Sequence, residues 1–230
     1  RFLSIQFRPQ YQYLDQNKEA EERIYEGETP GVSYGDIAER YYTVGQYMKE
    51  VKDVSKAMAA AGDSYICDEY LNAMGSPEAE SVYVLHDLNN DGIEEFFIGL
   101  KFNYDIPYYV IYDVYTWKDG RAYQLMRGIG YRNGSCKICE NGVIEDNYSG
   151  SAWDGQTLYH ILPEGGIELE TIDSVSSRRD GTVQSYYHWN ELIDENSLQT
   201  ILEQYQPESV TYVDCNRETI EQLRLSGIRK

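Results

Sequence analysis

From Ser33 onward, apolar residues recur every three or four positions, at Ile37, Tyr41, Val44, Met48, Val51 and Met58. That spacing places them on one stripe of an α-helix. Ser33-Tyr34-Gly35-Asp36 has the serine-x-x-acid form of a capping box, and Gly62 is a natural stop. A shorter helix is predicted from Ser64 to Met74, begun by Asp63 and ended by Gly75. The period then falls to two. Val82 to Leu85, Phe96 to Ile98 and Tyr108 to Trp117 are rich in β-branched and aromatic residues. Turn pairs recur after them, at Asp119-Gly120, Asn141-Gly142, Gly165-Gly166 and Asp180-Gly181. Asn-Gly and Asp-Gly suit the positive-φ corners of tight hairpins. The stretch from about Ser81 to Trp189 therefore reads as an antiparallel meander, with no helical pattern to carry a parallel crossover. Helix returns near the end. Asp194 can cap a segment with Leu198, Ile201, Leu202 and Tyr205 on one face, stopped by Pro207. A short strand, Val210 to Val213, precedes a last helix that Asn216 can cap.

No Gly/Ser/Pro-rich linker divides these parts, so the expectation is one α+β domain over residues 1–230. Residues 1–80 form its helical N-terminal part, 81–190 a single tyrosine-rich antiparallel meander, and 191–230 the C-terminal helices. Helices from both ends would pack on the sheet.

Charge narrows the partners. Thirty-nine acids against 20 lysines and arginines leave a formal net charge of -19. Such a surface repels phosphate backbones, which argues against nucleic acid, and it concentrates cations. No run approaches the ~18 apolar residues needed to span a bilayer. The chain opens at Arg1 without a methionine, as a fragment, a mature form or a renumbered chain would, and Arg1 to Gln10 is not a signal peptide. Of the four cysteines, Cys136 and Cys139 lie three apart in an extended run, ~10 Å, too far to bridge. Cys67 with Cys215 is an allowed disulfide, but buried free thiols are the preferred reading. A zinc site would want a second close pair.

One segment carries specific chemistry, Asp87-Leu88-Asn89-Asn90-Asp91-Gly92-Ile93-Glu94-Glu95. Calcium takes 6–8 oxygens at ~2.3–2.6 Å. Asp87, Asn89 and Asp91 alternate and can turn three side-chain oxygens toward one centre. Gly92 permits the sharp turn, the Ile93 carbonyl supplies another oxygen, and Glu95 closes the set. An EF-hand would need glutamate at the twelfth position, which here is Ile98, and its flanks would be helical. The expectation is a calcium loop within a β-hairpin. Cytosolic calcium is too scarce for any but tight sites, so the loop and the acidity together place the chain outside the cell or anchored at its surface.

The run Asp87 to Gly92 followed by Glu95-Phe96-Phe97-Ile98-Gly99 resembles the calcium hairpin of FG-GAP and VCBS-type repeats. It is also similar to that of uncharacterised exported proteins and lipoproteins of Gram-positive, often gut, bacteria. In those a tyrosine-rich strand and an aromatic-Lys-Asp-Gly turn follow, as Tyr112 to Gly120 does here, and a later Glu-Asn-Gly hairpin is matched by Glu140-Asn141-Gly142. The likeness covers roughly Ser81 to Tyr205. Asn89 stands where aspartate is usual, which lowers the charge of the loop. The motif occurs once, so the resemblance implies no propeller.

Other chemistry is thin. Of the three histidines, His86 precedes the loop, while His160 and His188 sit in expected strands, where a lone histidine is usually a hydrogen-bonded structural residue. No nucleophile elbow, phosphate loop or His-Glu-x-x-His helix occurs. Asp113, Glu145, Asp146 and Asp154 are candidates for a hydrolase using paired carboxylates, which would need two of them ~5–9 Å apart. Tyr148 to Gly155, small residues around two aromatics, reads as a surface loop that could hold a ligand. The leading expectation is a calcium-stabilised, exported, non-enzymatic module that binds a glycan, a peptide or an envelope component. The alternatives are a hydrolase and a structural domain of a larger lipoprotein.

Overall fold

A computed structural model describes residues 24–28, 33–61, 66–130, 136–149, 153–162, 167–176, 183–189 and 191–226. The turns at Gly165-Gly166 and Asp180-Gly181, the expected stop at Gly62 and the expected cap at Asp63 lie outside them.

The first long helix, α1 (Tyr34–Val51), begins as its sequence demands. The Ser33 hydroxyl accepts the Asp36 N–H at 3.1 Å, and the Asp36 carboxylate accepts the Ser33 N–H at 3.1 Å. Its stripe of Ile37, Tyr41, Val44 and Met48 is buried. The expected continuation to Gly62 is interrupted. Lys52 takes φ 51°, its N–H reaching back to the Met48 carbonyl at 2.9 Å, and Asp53 then caps a separate helix, α2 (Val54–Ala61). A left-handed residue followed by a good N-cap ends one helix and starts another, and here that local chemistry overrides the longer periodicity. Next comes α3 (Asp68–Met74), capped by Cys67 and so shorter than expected.

The expected α+β class with antiparallel strands is what the chain forms, and the strand succession is parted between two six-stranded sheets. In chain order the strands are β1 (Ile24–Glu28), β2 (Ala79–His86), β3 (Glu95–Phe102), β4 (Tyr108–Lys118), β5 (Arg121–Arg127) and β6 (Cys136–Cys139). They continue with β7 (Val143–Ser149), β8 (Trp153–Ile161), β9 (Ile167–Ser176), β10 (Val183–His188), β11 (Glu191–Ile193) and β12 (Val213–Asp214). The first sheet has the order β1-β5-β4-β3-β2-β12 and the second β11-β10-β9-β8-β7-β6. Thus a strand, β1, stands within the part read as helical. Every pairing among the described residues is antiparallel. The hairpin corners Asp119-Gly120 (φ 54° and 80°) and Asn141-Gly142 (φ 64° and 79°) hold the left-handed conformations their sequences favour.

Packing runs through four layers. Helices α1 to α3 cover one face of the first sheet around Tyr41, Tyr70, Phe96, Ile98 and Tyr115. The other face meets the second sheet through Phe97, Ile111, Val114, Met126, Ile144 and Tyr159. On the far side, α4 (Glu195–Leu202) lays Leu198, Ile201 and Leu202, with Tyr205 beyond it, against Cys139, Val143, Leu158 and Ile172. Asp194 caps α4 and Asn216 caps α5 (Arg217–Ser226), as expected. Burying each large side chain contributes roughly 1.5–3 kcal/mol. The four cysteines are buried and none is in a disulfide, as preferred above. No described helix is long and apolar enough to cross a membrane.

Candidate functional site

The loop from Asp87 to Glu94 joins β2 to β3, whose register closes on His86 opposite Glu95. Its shape comes from side-chain oxygens standing in for a backbone ladder. Asp87 accepts the Asp91 N–H at 3.1 Å on one oxygen and the Gly92 N–H at 3.0 Å on the other. Asn89 Oδ1 accepts the Asp91 N–H at 3.2 Å, and Asp91 Oδ1 accepts the Ile93 N–H at 2.7 Å. The Asn89 and Asp91 bonds, each to the N–H two residues on, are successive Asx turns, which Asp and Asn at alternate positions favour. Asn90 at φ 59° and Gly92 at φ 88° take the corners.

The loop is fastened to every neighbouring layer. Leu88 is buried in the core between the two sheets. Asn89 Nδ2 donates to the Leu162 carbonyl at 3.2 Å, just past β8 of the second sheet. The Tyr34 hydroxyl, at the start of α1, donates to the Glu94 carbonyl at 2.8 Å. Glu95 is wholly buried, accepting the Leu88 N–H at 3.0 Å and the Thr116 hydroxyl at 3.0 Å. Burial pushes its carboxyl up to about 7 despite those two hydrogen bonds, and the charges of Asp91 and Asp87 push the same way.

Asp87, Asn89, Asp91, Ile93 and Glu95 are therefore gathered in one turn. Asp87 and Asp91 spend oxygens on the loop's own N–H groups, while Glu95 lies beneath. Among the described residues, no three His, Cys, Asp or Glu side chains converge as a metal-holding group. The donor chemistry nonetheless suits a hard divalent cation: all oxygens, two exposed or half-exposed aspartates, and a buried carboxyl in their negative field.

The four candidate carboxylates do not meet. Asp113 is fully buried under α1, bonded to the Tyr41 hydroxyl and, at 2.9 Å, to the Gly128 N–H. Burial raises it to about 6 against those bonds. Glu145 and Asp146 alternate on β7 and so face opposite ways. Glu145 accepts from Lys137 at 3.0 Å and Asn147 at 2.6 Å, while Asp146 accepts the Gly130 N–H at 3.1 Å. Asp154 shares Glu145's face but stands four residues along β8 from its partner Leu158, about 13 Å at strand spacing. Of the possible ligand loop, residues 150–152 and the side chains of Tyr148 and Trp153 lie outside the described set.

One constellation escaped the sequence reading. Glu170 Oε2 lies 2.9 Å from His160 Nε2 and accepts the Tyr205 hydroxyl at 2.6 Å, while its Oε1 lies 2.6 Å from His188 Nε2. Burial alone would raise this carboxyl, but the bonds from His160, Tyr205 and His188 bring it down to about 2. Both histidines are thus hydrogen-bonded parts of the second sheet, as their expected structural role requires. His86 likewise pairs with Glu208 at 2.9 Å. Only the hairpin register, with Leu158 opposite Glu170, could have brought the first pair together on paper.

Among the described residues, two patches of large apolar side chains stay exposed. Trp189 and Leu192 flank the turn between β10 and β11. Tyr104, Ile106 and Tyr108 stand at the turn between β3 and β4. Set against models of protein families, curated proteins and solved structures, the chain finds no match.

Proposed function

We propose that this chain is a calcium-stabilised, non-catalytic interaction module working outside the cell, at the envelope. The observation that carries the reading is the attachment of one oxygen-rich loop to three layers. Tyr34 ties it to α1, Thr116 through Glu95 to the first sheet, and Asn89 and Leu88 to the second. A cation held by Asp87, Asn89, Asp91, Glu95 and the Ile93 carbonyl would offset the negative field there and brace both sheets. Its role is structural, because every donor comes from one short hairpin. Scattered carboxylates disfavour the paired-acid hydrolase. The extracellular setting rests on calcium supply and on the resemblance to exported proteins.

Thermal unfolding tests this. Calcium at about one hundred times its dissociation constant adds about 2.7 kcal/mol, which raises Tm by about 5–10 °C for a chain of this size. Asp91→Ala removes that rise. Identical melting curves in calcium and in chelator would refute the reading.

A further inference from the structure

At the turn between β3 and β4, three aromatic rings lie almost parallel. Phe102 and Tyr108 have centroids 4.8 Å apart at 16°, Tyr104 and Tyr108 are 5.9 Å apart at 13°, and Phe102 and Tyr104 are 6.4 Å apart at 4°. Phe102 roots the group in the core beneath the helices. Tyr104 is 50% exposed and Tyr108 48%, so each covers one side on its neighbours and offers the other to solvent. Beside them Ile106 is 84% exposed. The rings hold one another, so a ligand need not order them first. Clustered apolar exposure of this kind marks interaction surfaces more than scattered residues do.

Charge selects the partner. The polar residues of the turn are Asn103 and Asp105, both exposed, and Lys101 alternates onto the opposite face with Tyr109. The whole chain carries a net charge of -19. That field opposes a second copy of the chain as occupant and attracts cations. Aromatic faces attract guanidinium and ammonium groups through the ring quadrupole, and Asp105 offers a carboxylate for the same group.

We propose that this aromatic face is where the module docks its partner, and that the partner presents an arginine-containing basic segment. This rests on the interaction-module reading and supplies its ligand chemistry. Planar guanidinium groups stack on Tyr104 and Tyr108, while Ile106 packs against the aliphatic stems.

The test is calorimetric titration, near physiological salt, with a short peptide alternating arginine and glycine, against wild type and three variants. Tyr104→Ser/Tyr108→Ser is expected to weaken binding roughly tenfold, and Asp105→Asn several-fold. Trp189→Ser, an exposed aromatic at a different turn, is expected to change nothing. Equal affinity for wild type and the tyrosine variant would overturn the proposal, because binding would then reflect net charge alone. Absence of peptide binding would overturn it too. So would a neutral oligosaccharide bound more tightly than the peptide and released by the tyrosine variant, or wild-type dimers in sedimentation abolished by that variant. The calcium-induced rise in Tm, read on the same proteins, keeps the two readings apart: the tyrosine variant retains it whether or not the peptide binds.

Discussion

The buried carboxylate of Glu95 accepts the backbone N–H of Leu88 at 3.0 Å, and the Leu88 side chain plugs the core between the two sheets. One hydrogen bond thus couples the end of the Asp87–Glu94 loop to the packing between the sheets.

Glu95→Gln separates charge from shape. Burial raises the Glu95 carboxyl from 4.5 to about 7, so the fold favours its neutral form. The stability it contributes is full below pH 4.5 and is lost as pH rises through about 7. Glutamine keeps an acceptor for the Leu88 N–H, and its amide can donate to the Thr116 hydroxyl. At about pH 8 without calcium, Glu95→Gln is expected to stabilise the protein by on the order of 2 kcal/mol, while losing the response to calcium. Urea unfolding with and without calcium checks both.

Glu170 behaves in the opposite sense. Its carboxyl is held at about 2 in the fold against 4.5 ordinarily, so its contribution is present above pH 4.5 and fades as pH falls toward 2. Glu170→Gln should flatten acid unfolding across that window and cost on the order of 2 kcal/mol near neutrality. A variant with the wild-type acid profile would show that His160, His188 and Tyr205 do not stabilise the carboxylate.

Much of this fold was legible where local chemistry decides. Ser33, Asp194 and Asn216 cap helices because an oxygen beside free N–H groups is a local fact. Asp119-Gly120 and Asn141-Gly142 turn because few other residues tolerate those φ values. The stripe of Leu198, Ile201 and Leu202 names the face of α4 that packs, half-buried, on the second sheet. The division into two sheets was not legible, because alternation tells which residues share a face but not which partner covers it. Nor was the pairing of β1 with β5, whose partner lies nearly one hundred residues away. The helix break at Lys52 was hidden by a stripe that continues in phase past it. For the candidate site, the spacing led us to propose Asp87, Asn89, Asp91, Ile93 and Glu95 as donors, and the structure places these residues in and just beneath one turn. It also disclosed the anchors Leu88, Tyr34 and Thr116, which only tertiary contact brings to the loop.

Gly99 marks the one place where β3 and β4 approach too closely for a side chain. The register shifts between Ile98 and Gly99, and a methyl group there would stand 2.1 Å from the Val110 carbonyl oxygen. Backbone cannot yield cheaply. Gly99→Ala is expected to cost about 3 kcal/mol in denaturant unfolding, although alanine is otherwise the better residue by conformational entropy. A loss below about 1 kcal/mol would mean that the strands can part.

Calorimetric titration of the intact chain with calcium alone reaches the central claim most directly. One ion per chain is expected to bind to wild type, more weakly to Asp87→Asn and not at all to Asp91→Ala. Saturable binding that survives in Asp91→Ala, or no binding to wild type at millimolar calcium, would contradict that claim.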